Sequence, residues 1–273
     1  MADEIAIPQI IDKGGVVRRL GTLISDPMKL RAMTPYSEAF PNKIFDPSDI
    51  RRIIADPNRL NRRATFNARW RTDQKSHGSC NGFAIANCAK KIRFLRGIDD
   101  GWIPSGAYSY SKMNGHRDNG SAIVDDVEVA QKWGFAPADL VTWDMIYPES
   151  QPANADAEAA KHKGILAYIT YEIVEVLSAL AVGFPCVVVA MAGNRFLQLD
   201  SDGIAGVDNG VGNHAISSDD VVDIKGSLVL DTENSWGTSY GTQGRMYLRQ
   251  ESIAQTIKAH GVCVLPSMDE FPE

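Results

Sequence analysis

The run Gln74-Lys75-Ser76-His77-Gly78-Ser79-Cys80-Asn81-Gly82-Phe83, with Asn213-His214-Ala215 and Glu233-Asn234-Ser235-Trp236-Gly237 far downstream, supplies a thiol, an imidazole and two side-chain amides. A thiol is a useful nucleophile only as thiolate, and a helix N-terminus with an imidazolium beside it can lower its pKa from about 8.5 to ~3–4. Apolar residues at helical spacing (Phe83, Ala84, Ala86, Cys88, Ile92, Leu95) predict a helix with Cys80 in its first turn. The thiol then lies in a first turn, where free backbone N–H groups gather. Cys80 is the candidate nucleophile and His214 its candidate base. Free cysteine is more often a packing residue, and Cys88, Cys186 and Cys263, each in an apolar setting, are read that way. His77, His116, His162 and His260 are read as surface or loop histidines. Cys80 alone is preceded by Gly-Ser and by a spaced glutamine.

A Phe66…Trp70 lead-in, Gln74 six positions before Cys80, Asn119-Gly120, Asn213-His214-Ala215 and Asn234-Ser235-Trp236-Gly237 occur in that order. Over roughly residues 62 to 265 they resemble the papain-like cysteine peptidases. His214 lies 134 positions after Cys80 and Asn234 lies 154 after it, close to the ~130–150 usual for that family. The resemblance implies an α+β fold of two lobes, a helical lobe and an antiparallel β-barrel-like lobe, with the active site in the cleft between them. It implies that Cys80 attacks a peptide carbonyl, that His214 moves the proton, and that Asn234 holds the imidazole in orientation. Trp236 would roof that pair. Gln74 would join the Cys80 backbone N–H in binding the oxyanion. Gly78, Ser79, Asn119, Gly120, Ala215 and Trp236 would border a protein or peptide substrate. No cofactor or metal is implied, and the Asp219-Asp220 pair lacks the company of ligands that a metal site needs.

Four departures from the family pattern carry expectations of their own. Asn81 stands where a bulky aromatic usually follows the nucleophile, and Gly82 then costs about 1 kcal/mol in a helix interior. His77 and Asp118 occupy two positions that secreted members join by a disulfide, so they are expected to be neighbours and to pair. Ser121 replaces a second glycine after Asn119-Gly120, where any side chain limits close approach. The strand after the base reads Ile216-Ser217-Ser218-Asp219-Asp220-Val221-Val222, and its carboxylates predict a bend, a bulge or an interface.

Three regions organise the chain: an N-terminal extension over 1–61, a helical lobe with the nucleophile over 62–165, and a β lobe with the base and the orienting asparagine over 166–273. The extension holds one capped helix, Asp46 to Ile54, and otherwise reads as extended; it is either an atypical propeptide or an arm that docks on an assembly partner, the second being favoured slightly. Gly134 should end a helix near Asp125–Trp133, and Gly183 one near Ile173–Val182. Pro148–Lys163 reads as a polar loop or surface helix; Cys186–Met191, Leu228–Leu230 and Arg245–Leu248 read as strands. A net charge of −6 argues against a nucleic-acid surface; Arg62, Arg63, Arg69 and Arg71 read as a solvated basic face. Four cysteines without the family's paired positions suggest a cytoplasmic or other reducing compartment, a virion included. No signal peptide or membrane span is expected. A cysteine peptidase leads; alternatives are a papain-like scaffold in an assembly, viral for instance, and an acyltransferase or isopeptidase using the same residues.

Overall fold

The computed structural model describes residues 7–60, 62, 70–114, 116–210 and 212–268. Two short strands, β1 (Gln9–Ile11) and β2 (Val17–Arg19), form a hairpin. Six more, β3 (Tyr168–Thr170), β4 (Cys186–Ala192), β5 (Gly212–Ile224), β6 (Ser227–Glu233), β7 (Arg245–Leu248) and β8 (Val262–Val264), make an antiparallel sheet in the order β3-β8-β4-β5-β6-β7. The sheet is open between edges β3 and β7, so the barrel-like closure expected of this lobe is absent among the described residues. The α+β, two-lobe architecture itself is present.

Alternation along β4 divides the interior in two, because successive strand residues face opposite sides. Cys186, Val188 and Ala190 join a core with the Ile173–Val182 helix and the outer strands, while Val187 and Val189 join a second core with the Cys80–Leu95 helix and the Ile123–Trp133 helix. Gly183 ends the first of these helices in the left-handed conformation, with φ 99°, and Gly134 follows the Ile123–Trp133 helix with φ 82°. Pro148–Lys163 contains a 3-10 turn, Pro148–Ser150, and one short α-helix, Ala155–Ala159.

The Cys80 helix is buried along most of its length. Gly82 is explained by packing rather than by weakness: a Cβ there would lie 2.5 Å from the Gly106 carbonyl, and one on Gly106 would lie 2.5 Å from the Phe83 ring. Two helices therefore touch at their backbones just behind the nucleophile.

Polar residues of β5 are buried with partners. Its register shifts between Ser218 and Asp220, the bulge that the acidic pair suggested. Asp219 pairs with Arg245, Asp220 with Arg59, and Glu233 at the end of β6 meets Lys90 Nζ at 3.1 Å, Lys91 Nζ at 3.3 Å and Arg71 at 3.0 Å. Burial alone would raise the Glu233 carboxyl, but these cations and Arg245 hold it well below the usual range. The arginines expected to form a solvated face are thus, at Arg62 and Arg71, buried: Arg62 donates to the Leu180 and Asp219 carbonyls. Arg63 and Arg69 lie outside the described residues.

The N-terminal arm is less extended than its sequence suggested. Beyond the hairpin it forms helices Pro27–Ala32 and Tyr36–Ala39 before the expected Pro47–Ile54, which Asp46 caps by accepting from the Ser48 and Asp49 N–H groups. Ile50, Tyr36 and Phe40 bury against the β lobe and Leu30 against the helical-lobe core, so the arm's apolar residues find cover on this chain's own body.

Candidate active site

Each candidate residue is positioned by a different element. Cys80 is the first residue of its helix. His214 and Ala215 lie on β5, paired to Ala190 and Val189 of β4. Asn234 directly follows β6. Gln74 and its neighbours run beside Trp236, through an antiparallel bridge between Asp73 and Trp236 and a Gln74 N–H bond to the Ser235 carbonyl at 2.9 Å.

His214 Nε2 donates to Asn234 Oδ1 at 2.8 Å, and the buried Nδ1 carries no hydrogen bond. The Trp236 ring stacks on the imidazole with centroids 4.6 Å apart at 22°, and Phe196 meets it edge-on. Both keep water from the bond. The backbone N–H groups of Ala215 and Gly21 face the Cys80 sulfur and favour its thiolate. Gln74 is locked at both ends of its amide: Oε1 accepts from Ser235 Oγ at 2.6 Å, and Nε2 donates to His77 O at 2.7 Å and, at 3.4 Å, to Arg19 O. Ser79, the residue before the helix, is buried with no partner for its hydroxyl.

His77 and Asp118, the pair standing at disulfide positions, are 3.2 Å apart. Asp118 also accepts from the Gly78 N–H at 2.8 Å and from Tyr110 Oη at 2.9 Å. Burial pushes its carboxyl up, yet these donors hold it below the usual range. One carboxylate thus ties the Gly78 segment to the Asn119-Gly120 segment. Asn81 and Ser121, two separate departures in sequence, meet in space: Asn81 Nδ2 donates to Ser121 O at 2.6 Å.

Across all this lies the arm. Thr22 bridges Ser121 in parallel, with Leu23 N–H to Ser121 O at 2.8 Å and Ser121 N–H to Gly21 O at 2.9 Å. Thr22 Oγ1 is 3.3 Å from Cys80 Sγ and 3.3 Å from Asn81 Oδ1, to which it donates. Gly21 passes so close that a Cβ would lie 2.0 Å from the Gly78 carbonyl, while a Cβ on Gly120 would lie 2.2 Å from Gly21 O. Only glycine fits on both sides of that crossing. Gly78, Gly120 and Ser121 therefore lie directly against the arm.

The electrostatics of the filled site are those of a neutral pair. Burial raises the Cys80 thiol above its ordinary value, against the smaller opposing effects of Thr22 and the two N–H groups. Burial also brings His214 down to about 4, with Asn234 opposing and Arg18 of the arm adding to the fall. A thiolate–imidazolium pair needs water or a lost cation here.

Sequence reasoning did not single out Arg18, Gly21 or Thr22, nor the buried charges behind Asn234. His260, read as a surface or loop histidine, is buried. Cys88, Cys186 and Cys263 are buried and unpaired, as packing residues are. Among the described residues no His, Cys, Asp and Glu cluster could hold a metal, and no helix is long and apolar enough to cross a membrane.

The fold is that of the papain-like cysteine proteases. The chain is similar to xylellain, a cysteine protease from Xylella fastidiosa, at TM-score 0.65 and 18% identity over 97% of this chain and 99% of that one. It is also similar to the proform of the ragweed pollen allergen Amb a 11, at 0.61 and 20% over 87% and 71% of the chains, and to procathepsin B from Trypanosoma congolense, at 0.57 and 14% over 92% and 82%. No protein-family profile matches the chain, and no curated protein matches it by sequence.

Proposed function

We propose that this chain is a cysteine peptidase that hydrolyses peptide bonds through a thioester and that its arm is the cover of its own active site. The observation that carries the reading is the His214–Asn234 bond at 2.8 Å under Trp236, with Nδ1 left without a hydrogen bond, together with a buried thiol at the start of a helix. With the arm withdrawn, Nδ1 takes the Cys80 proton and the sulfur attacks a peptide carbonyl carbon. The negative charge on the carbonyl oxygen develops toward the Cys80 N–H and Gln74 Nε2, donors each worth about 3 kcal/mol of barrier. As the C–N bond breaks, the imidazolium returns its proton to the leaving amine. Water then attacks the thioester while His214 takes its proton; the S–C bond breaks, the acid leaves, and the thiol is restored.

The arm's place supports a latent form, since Thr22 and Gly21 hold the groove at Ser121 and Gly78 and the neutral pair beneath them is unreactive. The test is cleavage of an unfolded protein by a Gly21→Ala chain, whose added methyl the crossing cannot take. Cleavage that vanishes in Gly21→Ala/Cys80→Ala agrees with the proposal. No cleavage by a folded Gly21→Ala chain makes the fold a scaffold instead.

A further inference from the structure

Arg18, on β2, is 1% exposed although it belongs to the arm. Its Nη1 donates to Asp73 Oδ1 at 2.6 Å and to Lys75 O at 3.3 Å, its Nη2 to Trp236 O at 3.2 Å, and its Nε to Asp12 Oδ2 at 2.8 Å. The guanidinium lies 5.8 Å from the Trp236 ring centroid. Asp12 would leave with the hairpin. The other acceptors belong to the body of the protein, on the two segments that hold Gln74 and roof His214.

Those acceptors do not depend on the arm for their placement. Asp73 is fixed by its bridge to Trp236, and its Oδ1 accepts from the Lys75 N–H at 2.8 Å. Gly237 lets the carboxylate stay close, since a Cβ there would lie 2.8 Å from Asp73 Oδ2. Lys75 Nζ is 2.9 Å from Oδ2, which leaves Oδ1 and two carbonyls facing the recess. Divergent acceptors of this kind match a planar fork of N–H donors better than a compact ammonium.

We propose that, when the arm withdraws, this recess is a substrate subsite for the guanidinium of an arginine, and that Arg18 is its placeholder in the covered form. The inference rests on the reading of an arm-covered peptidase and names the class of peptide that the site prefers: one with arginine at a fixed position from the bond cut. Asp73 is the specificity-determining residue.

Two measurements on the full chain test it. First, n-propylguanidinium is added to Arg18→Ala while Cys80 is labelled with a small thiol electrophile. The truncation should speed labelling by about tenfold; n-propylguanidinium should restore slow labelling, n-butylammonium should not, and neither should act on Arg18→Ala/Asp73→Asn. Equal effects of the two cations, or none, overturn the guanidinium assignment. Second, a peptide library is cut by Gly21→Ala, which keeps Arg18 and so answers even if Arg18→Ala misfolds. Arginine enriched at one position, and lost with Asp73→Asn, supports the subsite. Cleavage without that enrichment overturns it and leaves the peptidase reading intact. No cleavage at all by the folded variant overturns the peptidase reading and the substrate role together, and protection by n-propylguanidinium would then mark the recess as an anchor for the arm alone.

Discussion

The two polar layers that flank the nucleophile helix are built differently. Behind it, Lys90 and Lys91 of that helix reach Glu233, the residue before Asn234, in a layer closed to water. In front, the arm touches the same neighbourhood through backbone crossings at glycine and a threonine hydroxyl, while Ile11, Ile24 and Met28 on its outer side stay mostly exposed. The rear contact is one that separation would ruin, because each group left behind is a buried charge. The front contact leaves only groups that water or a peptide can satisfy. In the proposed peptidase, keeping Cys80 and Asn234 in register while the groove is uncovered needs both kinds.

The largest expected effect breaks the rear layer. Glu233→Ala leaves Lys90, Lys91 and Arg71 without their shared counter-ion and should cost about 3–5 kcal/mol in denaturant unfolding; a loss below about 1 kcal/mol would show that the clamp matters little. Gly21→Ala breaks the front instead. Overpacking by one methyl costs about 2 kcal/mol, so exchange of the Leu23 and Ser121 amides should quicken by roughly thirtyfold while global stability barely moves. Uniform destabilisation would contradict a separable arm.

Protonation sharpens the same contrast. Burial, with Arg18 of the arm adding to the fall, holds His214 neutral down to about 4, against an ordinary 6.5. An imidazole whose pKa is lowered in the covered form favours that form above 6.5 and ceases to do so as pH falls toward 4. The ratio of wild-type to Gly21→Ala labelling at Cys80 should therefore rise on acidification, by up to about tenfold per pH unit. A flat ratio would sever the imidazole from the cover. Thr22→Val, which loses one hydroxyl between Cys80 and Asn81, should loosen the arm by about 1 kcal/mol in the same exchange measurement. The smallest expected effect is electrostatic: Arg18→Ala should raise the His214 titration followed by imidazole NMR, and an unchanged midpoint would remove the arm's cation from the account.

Local signals were easier to read in the sequence than contacts between distant segments. Helix ends at Gly134 and Gly183, the cap at Asp46 and the start at Cys80 are local signals, and the structure follows them. The His77–Asp118 pair was legible from two substitutions that belong together. Asp219 and Glu233 were harder. Their partners Arg245 and Lys91 lie far along the chain, so a carboxylate in a strand read as an irregularity rather than as half of a buried pair. The arm was hardest, because strands of three residues carry no usable period, and its hairpin is held from outside by Asp73 and Trp236. Asn81 read alone as a loss; in place it joins Ser121 and Thr22.

The most direct test of a papain-type thiol beneath an arm is intact-mass labelling near pH 5.5, where ordinary thiols are almost wholly protonated, by about three pH units. Wild type, Gly21→Ala and Gly21→Ala/Cys80→Ala would be followed side by side. The account predicts slow labelling of wild type, rapid addition of a single label to Gly21→Ala, and none of that rapid phase in the double variant. A folded Gly21→Ala chain with an arm shown by exchange to be loose, and with Cys80 still inert, would contradict it.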